Sequence, residues 1–139
     1  MKRLSILVSA LLPLAAAFPV LAEDDGNAAI CAEAEERYVS IFGSSSADAE
    51  GVTVVKMYKY NFCPAAVTVP VGTTVRWVNV DKRTSHSVLS PAAGMPESDR
   101  AFPEESVEFT FLTAGSQEYL CGPHWETQQM IGMVTVTEE

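Results

Sequence analysis

The sequence predicts an all-β Greek-key sandwich behind a short N-terminal helical extension, and three observations carry that expectation. Beyond Gly51 the apolar residues come in short β-branched and aromatic runs, broken by Pro and Gly about every eight to twelve residues, which indicates an antiparallel sandwich or barrel. Within them Val107, Phe109 and Phe111 alternate with Glu108 and Thr110, the period-two pattern of a strand with one buried face. Upstream, Ile30, Ala34, Tyr38 and Ile41 recur at helical spacing. No internal repeat is visible.

The first 22 residues read as an address rather than as fold. Lys2 and Arg3 precede an apolar run over residues 4–17, and small residues stand before a cut after Ala22. The run is short of the roughly 20 residues a bilayer span needs, and Pro13 interrupts it. Residues 1–22 are therefore expected to be a cleaved secretory signal, and the mature chain periplasmic or secreted. The full chain has 139 residues and carries 18 Asp and Glu against 9 Lys and Arg. Cleavage would remove two of those bases and leave 117 residues with a formal charge of −11. Such an acidic chain is expected to bind neither nucleic acid nor an anionic membrane surface, because phosphate contacts need clustered cations.

Residues 23–50 form the expected extension. A short amphipathic helix is expected over residues 27–42, supported by an i,i+4 pair between Glu33 and Arg37, and residues 43–48 read as a flexible connector. Residues 51–139 form the expected sandwich domain. Its candidate strands are 52–60, 66–69, 75–80, 87–89, 106–111, 117–120 and 132–137, with a turn at Pro70-Val71-Gly72-Thr73. Residues 91–105 carry three prolines and a glycine and read as a surface loop. Trp77 and Tyr119 lie in strand patterns and are assigned to the core.

Four residues combine into a chemistry. His124 lies three residues after Cys121, Met130 follows six further on, and His86 sits upstream in a short connection between candidate strands. A thiolate, two imidazoles and a thioether are the donor set of a blue-copper centre, in which a trigonal sulfur-nitrogen-nitrogen plane takes a weak axial sulfur. Sulfur suits Cu(I), imidazole suits Cu(II), and a site satisfying both can cycle with little rearrangement. A zinc site suits a lone cysteine and a distant thioether less well. Met95 and Met133 are placed outside the site. No Ser-His-Asp order is present, and with both histidines committed to metal no general base remains near neutral pH.

These residues, with Pro70-Val71-Gly72-Thr73-Thr74-Val75-Arg76-Trp77-Val78-Asn79 before them and Met130-Ile131-Gly132-Met133-Val134 after, give the chain over residues 51–137 a pattern that resembles the small cupredoxins: plastocyanin, amicyanin and pseudoazurin. The resemblance implies an eight-stranded Greek-key sandwich holding one type 1 copper, with His124 as the port for electrons. Three departures stand out. Five residues, not four, separate His124 from Met130, so the plastocyanin gap puts Gln129 at the axial place whereas the final strand favours Met130. Ser87 replaces the common Asn after the first histidine, and Gly122 replaces Ser or Thr after the cysteine. Those two positions normally exchange hydrogen bonds that brace the ligand loop, and this chain is expected to lose them.

Cys31 and Cys63 remain. In an oxidising compartment they are expected to pair within the chain, closing a loop worth about 3 kcal/mol, although a linked dimer also fits. Trp125 either packs under the ligand loop or belongs to an apolar docking surface beside His124. The paired acids read as solvated surface, which would steer a basic partner if several shared one face. The expected function is that of a monomeric one-electron carrier and not an enzyme. It would cycle one copper between Cu(I) and Cu(II) and exchange electrons with redox proteins such as a cytochrome c, an oxidase or a dehydrogenase. Two alternatives stand beside it: a copper-trafficking or storage protein, and a cupredoxin-fold enzyme with an open copper position.

Overall fold

Helix α1 (Asp25–Phe42) opens the computed structural model, which describes residues 25–139. The secretory signal expected over residues 1–22 lies outside the described residues. Among those described, no helix is long and apolar enough to cross a membrane. Seven strands follow: β1 (Thr53–Tyr58), β2 (Asn61–Cys63), β3 (Ala66–Pro70), β4 (Thr74–Asn79), β5 (Ser106–Thr110), β6 (Gly115–Leu120) and β7 (Ile131–Thr137). One sheet has the order β2-β1-β4-β5 and the other β3-β7-β6.

Among the described residues the strands number seven, not the eight that the resemblance implied, and two further expectations change here. The sheets are mixed, not purely antiparallel: β1 pairs β4 in parallel, and β3 pairs β7 in parallel. The chain leaves the first sheet after β2, forms β3 in the second, and returns to lay β4 along the far side of β1. Strands so joined are not hairpin neighbours, and their directions need not oppose. Residues 87–89 are not a strand either. The stretch around them makes only isolated bridges, His86 to Ala101, Leu89 to Leu120 and Ser90 to Met95. Its partner changes at each bridge, so no ladder can grow.

The core between the sheets is built around Trp77, Tyr119, Phe62, Phe111 and Met57, all buried. Tyr119 packs edge-on against both Phe62 and Trp77, at centroid distances of 4.6 and 5.2 Å, a favoured aromatic geometry. Gly132 on β7 faces this ring so closely that a Cβ there would enter it.

A second apolar layer lies on the outer face of the first sheet. Ala34 and Tyr38 of α1 pack there against Val54, Cys63, Val78 and Val80. Covered on both faces, β1 is buried throughout its middle four residues, which is why its sequence reads as a nearly continuous apolar run. The Cys31–Cys63 disulfide staples the helix to β2, within one chain. Ion pairs hold the rest, and they differ from those expected. Glu33 does not bind Arg37: it pairs with Lys59 at 2.5 Å and accepts from Tyr58, while Arg37 donates to the Val80 carbonyl. Nor is the connector loose. Glu35 accepts bonds from Ser45, Ser46 and Lys56, the last at 2.8 Å, and so ties a 3-10 turn at Ser46–Asp48 to β1.

Candidate metal centre

His86, Cys121 and His124 converge at one end of the sandwich, each from a different local structure. His86 sits in the irregular chain after β4, where its backbone exchanges hydrogen bonds with Ala101 at 3.0 and 2.8 Å. Asn79 at the end of β4 makes that loop hold its shape: its amide donates to the Thr84 and Ala101 carbonyls, and its oxygen accepts from the Asp81 backbone. Cys121 follows directly from β6. Its carbonyl accepts from the backbones of His124 and Trp125, turning the chain into helix α2 (Trp125–Gln128). Gln129 then adopts a left-handed conformation, φ 53°, and returns the chain to the site, where the Cys121 N–H donates to the Met130 carbonyl at 3.1 Å.

The donor atoms of the three residues lie within 4.8 Å of one another. Cys121 Sγ is 3.6 Å from His86 Nδ1 and 3.4 Å from His124 Nδ1. A sulfur about 2.3 Å and a nitrogen about 2.0 Å from one metal, at roughly tetrahedral to trigonal angles, stand about 3.5–3.7 Å apart. The donor set therefore fits a single ion of that size. His86 is fully buried and Cys121 is buried, whereas the His124 ring is partly open to solvent. Met130 is 1% exposed and shares the core cluster of Cys121, while Gln129 is exposed. The extra residue of the ligand loop is absorbed by one helical turn and the left-handed Gln129.

At His124 the electrostatics favour the neutral imidazole. Burial, then the neighbouring His86 and Arg100, push the His124 pKa down, towards the metal-binding form. Burial pushes the Cys121 thiol up, against a smaller opposing pull from the Ser87 and His124 backbone N–H groups. A bound cation supplies the charge that deprotonates such a thiol.

The bracing expected to be lost is present in another form. Ser87 Oγ accepts from the Gly122 N–H at 3.1 Å and donates to Glu97 Oε1 at 2.7 Å. The absence of a side chain at Gly122 makes room, since a Cβ there would collide with Glu97 and lie 2.7 Å from Ser87 Oγ. Three further residues of the site have no signal in the sequence. Asp81 Oδ2 lies 2.6 Å from His86 Nε2. Glu97 joins through Ser87. Tyr60, in a turn where both it and Lys59 have positive φ, sets its ring edge-on to His124 at 4.9 Å. None of them lies in a recognisable pattern, because the loops that bring them in follow no period. Trp125, next to His124 in the chain, is 38% exposed.

A profile of the copper-binding proteins of the plastocyanin/azurin family matches residues 49–137, well over half of the sequence. The chain belongs to that family. This cupredoxin holds one type 1 copper, as its fold, its donor set and its relatives together show. It is 39% identical over 84 residues to halocyanin of Natronomonas pharaonis, covering 55% of this chain and about half (48%) of that relative. Among solved structures it is similar to a variant of amicyanin in its reduced Cu(I) form at pH 4, with 29% identity and a TM-score of 0.56 over 68% of this chain and 90% of that one. An oxidised amicyanin variant is alike to the same degree, 29% identity and a TM-score of 0.56 over 66% and 89%.

Proposed function

We propose that this cupredoxin is a one-electron carrier in which His86, Cys121 and His124 bind copper strongly and Met130 binds it weakly. The observation that carries the reading is the buried Cys121 Sγ set between two imidazole nitrogens, at 3.6 and 3.4 Å, with only the His124 ring reaching the surface. Copper held by those atoms supplies a Cu(I)/Cu(II) couple. The protein's share is rigidity: bonds from Asn79, the Ala101 bridge and the Ser87–Gly122 contact brace each ligand loop. Fixed donors keep the rearrangement between oxidation states small. Tyr60 and Trp125, both exposed, flank His124 and form an apolar rim on which a partner can seat. Partners would be redox proteins such as a cytochrome c, an oxidase or a dehydrogenase, and the chain itself would transform no substrate.

Export to the periplasm or beyond the cell is part of the proposal. The Cys31–Cys63 disulfide supports it, since such bonds persist in oxidising compartments, as does the leader-like N-terminal sequence. The burial of Met130 and the helical turn that takes up the longer loop speak against an open copper position. Mixing the reduced, copper-loaded protein with a Cu(I) chelator and, separately, with an oxidised cytochrome c tests the carrier reading. Retention of copper with rapid electron transfer is expected. Ready loss of Cu(I) with slow transfer would favour trafficking instead.

A further inference from the structure

We propose that Asp81 is a positioning residue of the copper centre, whose buried carboxylate fixes the His86 ring and lowers the reduction potential of the metal held there. The inference rests on the reading of His86 as a ligand. His86 turns Nδ1 towards Cys121 Sγ, at 3.6 Å, and Nε2 towards Asp81 Oδ2, at 2.6 Å. A metal on Nδ1 leaves the proton on Nε2, so the ring donates to the carboxylate, the arrangement that orients a ligating imidazole and strengthens it as a donor.

The carboxylate is itself held. Its second oxygen accepts the Lys59 backbone N–H at 3.3 Å, and the Asp81 N–H donates to Asn79 Oδ1 at 2.9 Å. Asn79 in turn binds the carbonyls of Thr84 and Ala101, and Ala101 brackets the His86 backbone. Asp81 thus joins the Lys59–Tyr60 turn, the end of β4 and a ligand ring. The two imidazoles differ in kind: His86 is enclosed and faces a carboxylate on its far side, whereas His124, beside Cys121, Tyr60 and His86, has no carboxylate among its hydrogen-bond partners in the described residues.

Charge decides the direction of the effect. Oxidation adds one positive charge to the metal, and a fixed carboxylate within a poorly screened interior favours the more positive state. The hydrogen bond acts in the same sense, because a more basic imidazole suits Cu(II). Asn at this position could still accept from His86 Nε2 but would carry no charge, and it would turn its amide towards the Lys59 N–H.

The test compares the copper-loaded full chain with Asp81→Asn and Asp81→Glu by spectroelectrochemistry, with absorption and electron paramagnetic resonance spectra of each. All three should keep the intense thiolate band. Asp81→Asn should raise the midpoint potential, with a shift of about tenfold in the ratio of Cu(II) to Cu(I) affinity, about 59 mV for one electron. Asp81→Glu, which keeps the charge, should lie closer to wild type than to Asp81→Asn. An unshifted Asp81→Asn potential with the band intact overturns this proposal alone, and so does an Asp81→Glu shift as large as that of Asp81→Asn. Absence of the band from the wild-type protein overturns the ligand reading and this proposal together. Should Asp81→Asn fail to fold, the wild-type Cu(I) protein still answers by nuclear magnetic resonance. A slowly exchanging, hydrogen-bonded His86 Nε2–H signal is expected, and rapid exchange there would contradict the contact.

Discussion

Gly132 shows what a single residue decides in this fold. It lies on β7 against the phenol end of the Tyr119 ring, and both are buried. The Tyr119 ring is locked between Phe62 and Trp77 and has nowhere to retreat. Gly132→Ala is therefore expected to destabilise the protein by about 3 kcal/mol, at the upper end for overpacking a filled core, as read from denaturant midpoints. Gly122 is a gentler case, because the group its Cβ would strike first is the end of the exposed Glu97 side chain. The proposed donors stand out in the sequence because few residues compete for the role: two histidines, and a cysteine and a methionine closely spaced around the second; the structure brings His86, Cys121 and His124 together. Asp81 and Tyr60 do not stand out. Their places depend on how an irregular loop and a turn of two left-handed residues fold back on the site.

Among the elements, α1 has the most to add. Its apolar spacing announced a helix, yet nothing in that spacing told which surface it would cover. The answer lies in β1 and β4, whose buried outer faces need a lid. Glu35 is the polar anchor of that contact. Partial burial alone would raise its pKa, but bonds from Lys56 and Ser46 prevail and hold it at about 2, well below the ordinary 4.5. The sign follows directly. Above about pH 4.5 the carboxylate is ionised in the folded and the unfolded chain, and its stabilisation is complete. As pH falls from there towards 2 the unfolded chain takes up the proton first, and the stabilisation is lost. The difference in unfolding free energy between wild type and Glu35→Gln should accordingly be largest above pH 4.5 and shrink below it. Urea titrations at a series of pH values measure this, and a difference that stays constant across that window would contradict it.

For the whole molecule, the sandwich was readable from strand length, period two and turn spacing, because these follow from local chemistry. The parallel pairings were not, since they depend on which sheet the chain enters after each turn. The ligand loop shows the same division: its spacing named the metal, while its helical turn and its Ser87–Gly122–Glu97 brace emerged only in three dimensions. What unites the scales is the proposal that the sandwich presents the Cys121 sulfur and two imidazoles to one ion. The visible absorption and electron paramagnetic resonance spectra of the Cu(II)-loaded protein, with Cys121→Ser beside it, test that claim most directly. An intense thiolate-to-copper band in the orange-red with narrow hyperfine splitting, both abolished in Cys121→Ser, is the expected result. A weak band with wide splitting, or an intense colour surviving the loss of Cys121, would contradict it.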